Sequence, residues 1–435
     1  MTQKEPSTSR RTFLKTSTAA ALGSALSAPL ILGTKSSAAS PGDTIKVGLI
    51  GCGGRGSGAA KQALNADKNV ILTSMGDAFQ DRLKSSLDAL KSDPEVGEKV
   101  NVKPDNCFIG LDACQKVLES GVDVVILATP PGFRPAHLKA AIAADKHVFC
   151  EKPMATDAPG VRSVMETVEE AKKRKRAIVA GFCWRYNLAE RAGFEQIHNG
   201  AIGDIRTIYG TYNTGSLWSR PRKPGWSDME WQIRNWLYFT WLSGDHLVEQ
   251  AVHTVDKMAW AMKDEPPIKA IAHGGRQVRT APEYGHIYDH FEVVYEYPND
   301  VHGFIFCRQQ ANCANDNSDT ILGTKGVARI LGFRSVPFVK GETNWKYSGP
   351  RPDMYQVEHN ELFASIRKGE PINNGVRMAR STMLAIMGRM AAYTGKEITW
   401  EEALNSKENL QPEKIAWDIP LPVPPVATPG KTNFI

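Results

Sequence analysis

The sequence predicts a doubly wound, parallel α/β domain followed by an α+β domain built on a large, mostly antiparallel, open sheet. Three observations carry this expectation. From Thr44 onward, short apolar runs alternate with helical stretches, as a parallel sheet with crossover helices requires. Gly51-Cys52-Gly53-Gly54-Arg55-Gly56 falls where the first apolar run gives way to a helical one. Past Arg185 the rhythm changes to strand-like segments crowded together with few long helices between them. At 435 residues, 42% hydrophobic and 23% charged, the chain has the length for two or three domains and the composition of an ordinary globular protein.

In chain order, Ser9-Arg10-Arg11-Thr12-Phe13-Leu14-Lys15 precedes a mildly apolar run from Ala19 to Gly33 and small residues at Ser37-Ala38-Ala39. This is the pattern of a twin-arginine export signal, with cleavage expected near Ala39 and a periplasmic or otherwise exported destination. The run is too short and too rich in Ala, Ser and Gly to span about 30 Å of hydrocarbon comfortably. Residues 1–39 carry Lys4, Arg10, Arg11, Lys15 and Lys35 against Glu5, so their removal lowers the net charge from +6 to +2. A body so close to neutral gives no reason to expect nucleic acid or an anionic membrane surface as partner. The seven cysteines are odd in number and lack CxxC pairs, so no disulfide framework or zinc ribbon is readable.

Strands are expected at Ile45 to Ile50, Val70 to Ser74, Val122 to Ala128 and His147 to Cys150, with helical spacing at Gly58 to Leu64, Arg82 to Leu90, Ala113 to Leu118 and Pro135 to Ala144. A helix from Ala158 to Lys175, whose basic end suits a helix C-terminus, leads into a strand from Ala177 to Cys183. After a helix at Leu188 to Asn199, strand-like segments follow at Ile205 to Tyr212, Ile268 to Ala272, Phe291 to Tyr297, Gly303 to Gln309 and Thr320 to Leu322. Two late helices, Tyr355 to Lys368 and Val376 to Thr394, precede a Pro-rich tail expected to wrap the surface. The expected division is a signal at 1–39, a nucleotide-binding domain at 40–184, a substrate and oligomerisation domain at 185–418 and a tail at 419–435.

The glycine motif has the context that gives it meaning. The first Gly makes a tight turn, the second lets backbone approach a pyrophosphate, and the third permits close packing of helix on strand, as in Rossmann domains. Helix N-terminal amides then favour the phosphate charge. Asp77, 21 residues after Gly56 at the end of the second strand, suits a carboxylate that accepts hydrogen bonds from the adenosine ribose. It would repel the extra phosphate of NADP, so NAD is the expected cofactor.

Glu151-Lys152-Pro153, directly after a strand, is the point at which the sequence resembles the glucose-fructose oxidoreductase and inositol dehydrogenase family (Gfo/Idh/MocA). The other carriers are Ala128-Thr129-Pro130-Pro131 with His137, the segment Trp184-Arg185-Tyr186-Asn187, and the stretch from Ser243 to Asp256. In that stretch Glu249 stands where the family usually has Asp. The resemblance implies cofactor contacts at Gly51, Gly53, Gly54, Arg55, Gly56, Asp77, Thr129, Pro130, His137, Glu151, Lys152, Trp184 and Arg185. It implies a sugar or polyol bound against the open face of the second domain's sheet, with Tyr186, Asn187, Asp245 and His246 as substrate contacts. A homo-oligomer formed through that sheet is also implied.

Oxidising a secondary alcohol requires a hydride acceptor and a group that removes the hydroxyl proton, so a base must stand beside the cofactor. Lys152 is the candidate base. Glu249 and His253, four apart and expected on one helical face, would hold the hydroxyl or pass its proton. His246, Glu249 and His253 share that face, yet their spacing is not H-E-x-x-H and no metal is expected. Trp218, Trp226, Trp231, Trp236 and Trp241 crowd into one short stretch with Arg220, Arg222, Lys223 and Arg234. Two readings stay open there: an aromatic subdomain core or subunit contact, and a carbohydrate platform in which Trp218, Trp226 and Trp236 pack on sugar rings.

The expected function is an exported NAD-dependent oxidoreductase acting on a sugar, polyol or glycoside hydroxyl. The alternatives are an NAD-dependent glycosidase resembling glycoside hydrolase family 109 and a non-catalytic carbohydrate-binding protein.

Overall fold

The computed structural model describes residues 42–332 and 335–435, so the expected export signal lies outside the described residues. The first half contains β1 (Ile45–Ile50), α1 (Gly54–Ala66), β2 (Val70–Asp77), α2 (Gln80–Ser92), β3 (Cys107–Ile109), α3 (Ala113–Glu119), β4 (Val124–Leu127), α4 (Arg134–Ala143), β5 (His147–Cys150), α5 (Ala158–Lys173) and β6 (Ile178–Ala180). All strand pairs are parallel, in the order β3-β2-β1-β4-β5-β6. Because helices cover both faces, the central strands are apolar without alternation, and every residue of β4 is buried. The strand order reverses between β1 and β4, and a crevice opens there at the carboxyl ends of the strands.

The second half contains α6 (Leu188–His198), β7 (Ile205–Thr214), α7 (Asp228–Arg234), α8 (Thr240–Ser243), α9 (His246–Glu249), α10 (Val252–Ala261), β8 (Lys269–Gly275), β9 (His290–Tyr297), β10 (Val301–Gln309), β11 (Asp319–Gly323), β12 (Gly326–Ile330), β13 (Phe338–Gly341) and β14 (Trp345–Lys346). After these come α11 (Met354–Lys368), α12 (Gly375–Thr394), β15 (Ile398–Thr399) and α13 (Trp400–Asn405). The nine-stranded sheet runs β14-β13-β12-β11-β7-β10-β9-β8-β15, and only β7 and β10 pair in parallel. β9 and β10 alternate strictly, with Phe291, Val293, Tyr295 and Tyr297 of β9 turned onto the core. α12, buried on nearly all sides, fills the space between that sheet and α5.

The core does not divide where the sequence suggests. α11 packs on α1 and delivers Leu362, Phe363 and Ile366 to the core that holds β1 and β2. Ile178 N–H donates to Ile372 O at 2.8 Å and Asn374 N–H to Ile178 O at 2.9 Å, so a late segment is stitched to the edge of the first sheet. α11 begins with Asp353 capping Tyr355 N–H and ends at Gly369 in the left-handed conformation.

Beneath β7 and α10 lies a buried charged cluster. Lys257 is ion-paired with Asp319, Arg185 with Asp256 and Asp264, and Glu190 is wholly enclosed beside them. Burial pushes the Glu190 carboxyl from about 4.5 to about 8. Its folded value exceeds its unfolded one, so between those limits the folded state holds a proton that the unfolded chain has released. Stability is therefore expected to fall as pH rises through that window. Glu190→Gln, a neutral isostere, should flatten the fall, and thermal midpoints of both proteins at pH 6 and pH 9 check it. An equal drop in the two would contradict the assignment.

Candidate active site

A cavity of about 600 Å³ occupies the crevice at the β1/β4 reversal and continues to the junction of α9 and α10. Its floor is the glycine loop. Gly51 has φ +94, and a Cβ there would lie 2.6 Å from the Ala128 carbonyl carbon. A Cβ on Gly56 would lie 2.0 Å from Gly51 O, so helix α1 can approach the strand only with glycine at this position. At Gly53 and Gly54 a Cβ would meet nothing within 4 Å. Those two positions face open space at the start of α1, where a pyrophosphate fits against backbone amides.

Asp77 stands at the wall of the cavity. Its Oδ2 accepts from Cys52 N–H at 2.7 Å and its Oδ1 from Phe79 N–H at 2.9 Å, which fixes the carboxylate between the glycine loop and the turn after β2. Burial raises this carboxyl above its ordinary value, with those two donors acting against the rise. A ribose diol fits such an acceptor, so the crevice suits an adenine dinucleotide.

Thr129, Pro130 and His137 line the opposite wall. Thr129 Oγ1 and His137 Nδ1 are 3.1 Å apart, and burial pushes the His137 imidazole down to about 4, so the ring is neutral. Arg134, which sequence reasoning missed, donates to Pro153 O at 2.6 Å and Thr129 O at 2.8 Å. It thereby ties two cavity-lining turns together. Arg55 lines the cavity as well, and its guanidinium is held in ion pairs with Glu151 and Glu358. It also lies over the Tyr355 ring, 4.8 Å from the centroid. Glu151 in turn accepts from Lys152 N–H at 3.2 Å, so Arg55 is tied to the Glu151-Lys152 turn.

Lys152, Glu249 and His253 are brought together at the far end of the cavity. Lys152 Nζ donates to Glu249 O at 2.5 Å and to Glu249 Oε1 at 3.0 Å. Burial, and then the cationic Lys152 and Lys257, hold the His253 imidazole well below the ordinary histidine range. The His253 ring is therefore neutral, and its buried Nδ1 has no hydrogen-bond partner among the described residues. The expected continuous helix through Glu249 and His253 is corrected: Ala251 N–H reaches back to His246 O, and Glu249 ends α9 while His253 lies in the first turn of α10. This wide turn resembles the single-turn bulges often found at functional sites.

Gln250, at that junction, was also missed by sequence reasoning. Arg279 can only donate, and it donates to Tyr288 O at 2.8 Å and to Gln309 Oε1. Gln309 must therefore present its Nε2, which donates to Gln250 Oε1 at 2.8 Å. Gln250 is left with its own Nε2 as a donor beside the cavity that it lines. Tyr212 of β7 completes this end.

Several expected contacts are corrected. Asp245 and His246 are wholly buried and outside the cavity. Asp245, at φ +74, accepts from His246 N–H at 2.5 Å, Tyr288 N–H at 2.8 Å and Tyr393 Oη at 2.5 Å, so its carboxylate pins the turn that presents Glu249. His246 Nε2 faces Cys307 Sγ at 3.5 Å. The Trp184-Arg185-Tyr186-Asn187 segment is structural as well. Trp184 sits in a small core with Cys183 and Met354, and Arg185 is consumed by Asp256 and Asp264. Tyr186 Oη donates to Asn374 Oδ1 at 2.6 Å, and Asn187 caps α6. Trp218 and Trp236 line the cavity whereas Trp226 does not, and Trp231 and Trp241 are buried in an aromatic core. Gly210, two residues before Tyr212 on the same face of β7, abuts Thr254 of α10, so the cavity lies on the helix-covered side of the sheet and not on its open face.

Comparison with known proteins agrees with this geometry. Residues 45–182 match the oxidoreductase family with an NAD-binding Rossmann fold, and residues 194–329 match the GFO/IDH/MocA C-terminal domain, together more than half of the chain. Inositol 2-dehydrogenase of Serratia proteamaculans is 24% identical over 342 residues, covering 75% of this chain and 87% of that protein. A glycosyl hydrolase family 109 protein of Streptomyces coelicolor is 28% identical over 170 residues, covering 39% of this chain and 34% of its own length. Levoglucosan dehydrogenase in complex with NADH and levoglucosan shares the fold, with a TM-score of 0.65 at 18% identity over 82% of this chain and 99% of that one. With both halves of the chain matched by these two family descriptions, over more than half of its length, the protein belongs to the Gfo/Idh/MocA family of NAD-binding oxidoreductases.

Proposed function

We propose that the protein oxidises a secondary hydroxyl of a sugar, polyol or glycoside. The observation that carries this reading is the Lys152-Glu249-His253 cluster at the end of the cavity that begins at the glycine loop. Bound NAD supplies a hydride acceptor. Lys152, held by Glu249, donates a hydrogen bond to the carbinol oxygen and steadies the negative charge that builds there. Neutral His253 accepts the hydroxyl proton, and Gln250 donates to a neighbouring oxygen so that the reacting carbon faces the cofactor. Formation of NADH on mixing the protein with NAD and a panel of sugars, inositols and glycosides tests the reading. No response from any member would count against it.

The second reading is a glycosidase that oxidises and re-reduces the same sugar, and the Streptomyces coelicolor relative favours keeping it. Aglycone release without net NADH identifies that route. Export through the twin-arginine pathway is part of the proposal and rests on Ser9 to Lys15. N-terminal sequencing of exported protein should begin near Ser40. Assembly through the open sheet face is proposed from the exposed Tyr209, Ile271 and Leu322, and sedimentation at micromolar concentration would detect a monomer if that is wrong.

Asp77→Ser is expected to weaken NAD far more than NADP. It removes a charged acceptor worth about 1.5–3 kcal/mol and the repulsion of a 2′-phosphate. Arg55 is already paired with Glu151 and Glu358, whereas Arg82 lines the cavity near Asp77 and is a cation that can meet such a phosphate, so NADP binding is expected to survive the change. Calorimetric titration of both nucleotides against wild type and variant measures the change, and an unaltered preference would exclude Asp77 from the ribose site.

A further inference from the structure

The Trp-rich segment is built into the cofactor crevice, and this was not legible in the sequence. Trp218, Arg220, Ile233, Arg234 and Trp236 line the cavity on the side of Asp77 and Phe79. The segment also grips both lips of the crevice. On the β2 side, Arg234 donates to both Asp81 oxygens at 3.2 Å, and its guanidinium lies 3.8 Å from the centre of the Phe79 ring. On the β4 side, Trp241 packs edge-on against Phe133 with ring centres 5.7 Å apart. Phe79, Trp231, Ile233, Phe239, Trp241 and Leu242 share one buried apolar core.

The C-terminal tail locks this bridge from outside. Trp417 lies 5.7 Å from Phe79, ring centre to ring centre. Gln232 Nε2 donates to Leu421 O at 2.6 Å, and Leu421 N–H donates to Asp228 Oδ2 at 3.1 Å. Gln411 Nε2 donates to Trp241 O at 3.0 Å. A dinucleotide lies across the strand-order reversal, and here the two sides of that reversal are joined over it by one segment. Phe79, the anchor on the β2 side, is also the residue whose N–H holds Asp77, so clamp and ribose site are mechanically one unit.

We propose that residues 217–243, pinned by residues 410–421, form a clamp over the adenosine half of the crevice and set the rate at which NAD exchanges. This rests on the NAD reading above. A cofactor held through successive turnovers suits a reaction in which the hydride taken from one hydroxyl is returned before the nucleotide leaves.

The test uses full-length protein loaded with NAD and challenged with excess deuterated NAD, the exchange being followed by mass spectrometry. Arg234→Ala and Trp417→Ala are each expected to speed dissociation by about tenfold or more, with Kd rising less than the dissociation rate because entry is freed too. Asp81→Asn, a milder loosening of the same bridge, should act in the same direction with an unchanged thermal midpoint. This separates clamp opening from loss of fold. Equal exchange rates in wild type and all three variants would overturn the clamp. Absence of NAD binding by the wild type at saturating nucleotide would instead overturn the NAD reading, and the clamp with it.

Discussion

Lys152→Ala and His253→Ala are each expected to lower turnover by about 10²–10⁴ while leaving NAD affinity nearly intact. That range is the usual contribution of a positioned proton-transfer group. Binding should survive because the glycine loop and Asp77, at the other end of the cavity, are left untouched. The two losses should not multiply, since in the proposed mechanism Lys152 and His253 act on one hydroxyl and removing either disables the same step. The geometry also fixes a pH behaviour. His253 is held below the ordinary histidine range by burial and by Lys152 and Lys257, so its accepting form is fully present across neutral pH. The pH profile of kcat/KM should therefore show no loss through pH 7 to 6 from this residue, where an ordinary histidine would begin to protonate. Steady-state kinetics on a responding sugar or polyol, beside NAD binding by calorimetry, provides both readouts. Near wild-type turnover in both variants would remove this centre.

The first domain was legible because parallel strands covered on both faces leave uninterrupted apolar runs. β1 and β5 fall where the pattern puts them, and α1 runs past the expected Gly58 to Leu64 at both ends, to Gly54 and Ala66. β3 was not legible: Cys107–Ile109 is a three-residue edge strand, half-exposed, with no run to announce it. In the second domain β9 and β10 are close to their expected spans, because strict alternation is a local signal. The return of α11 and residues 372–374 to the first sheet depends on contacts between distant parts of the chain, which no local pattern reports.

The same distinction explains the site. Gly51, Gly56 and Asp77 are recognisable from spacing because their roles are set by a strand, a turn and a helix in immediate succession. Lys152, just after β5, and His253, in the first turn of α10, are far apart in sequence and were found through motif likeness. Trp184 and Arg185 were misassigned for the complementary reason. Trp184 is enclosed with Met354, and Arg185 is held by Asp256 and Asp264, 71 and 79 residues away from it. Gln250 was invisible because its orientation is dictated through Gln309 by Arg279. In the aromatic stretch each open reading holds for part of the segment, with Trp231 and Trp241 in the core and Trp218 and Trp236 at the cavity.

Within the glycine loop, two substitutions of identical chemistry are expected to fail in different ways. Gly56→Ala places a methyl group 2.0 Å from Gly51 O and 3.2 Å from the Ala128 side chain, and the nearer atom is backbone and has no rotamer to escape into. Helix α1 must move off the strand, at a cost of about 1–3 kcal/mol in stability or somewhat more, and its first amides move with it. NAD affinity should fall by roughly 100-fold or more as the pyrophosphate loses aligned donors. Gly53→Ala meets nothing within 4 Å, and Gly53 has φ −76, a conformation any residue adopts. Its thermal midpoint should therefore match wild type. The added methyl group nonetheless projects into the space that makes room for the pyrophosphate, so NAD affinity should still drop, by about 10-fold to 100-fold. Thermal melts without nucleotide, combined with NAD titration, separate the two: stability and affinity lost together at Gly56, affinity alone at Gly53. If Gly53→Ala bound NAD as tightly as wild type, the phosphates would not cross the loop there, and the placement of the dinucleotide over the start of α1 would have to be abandoned.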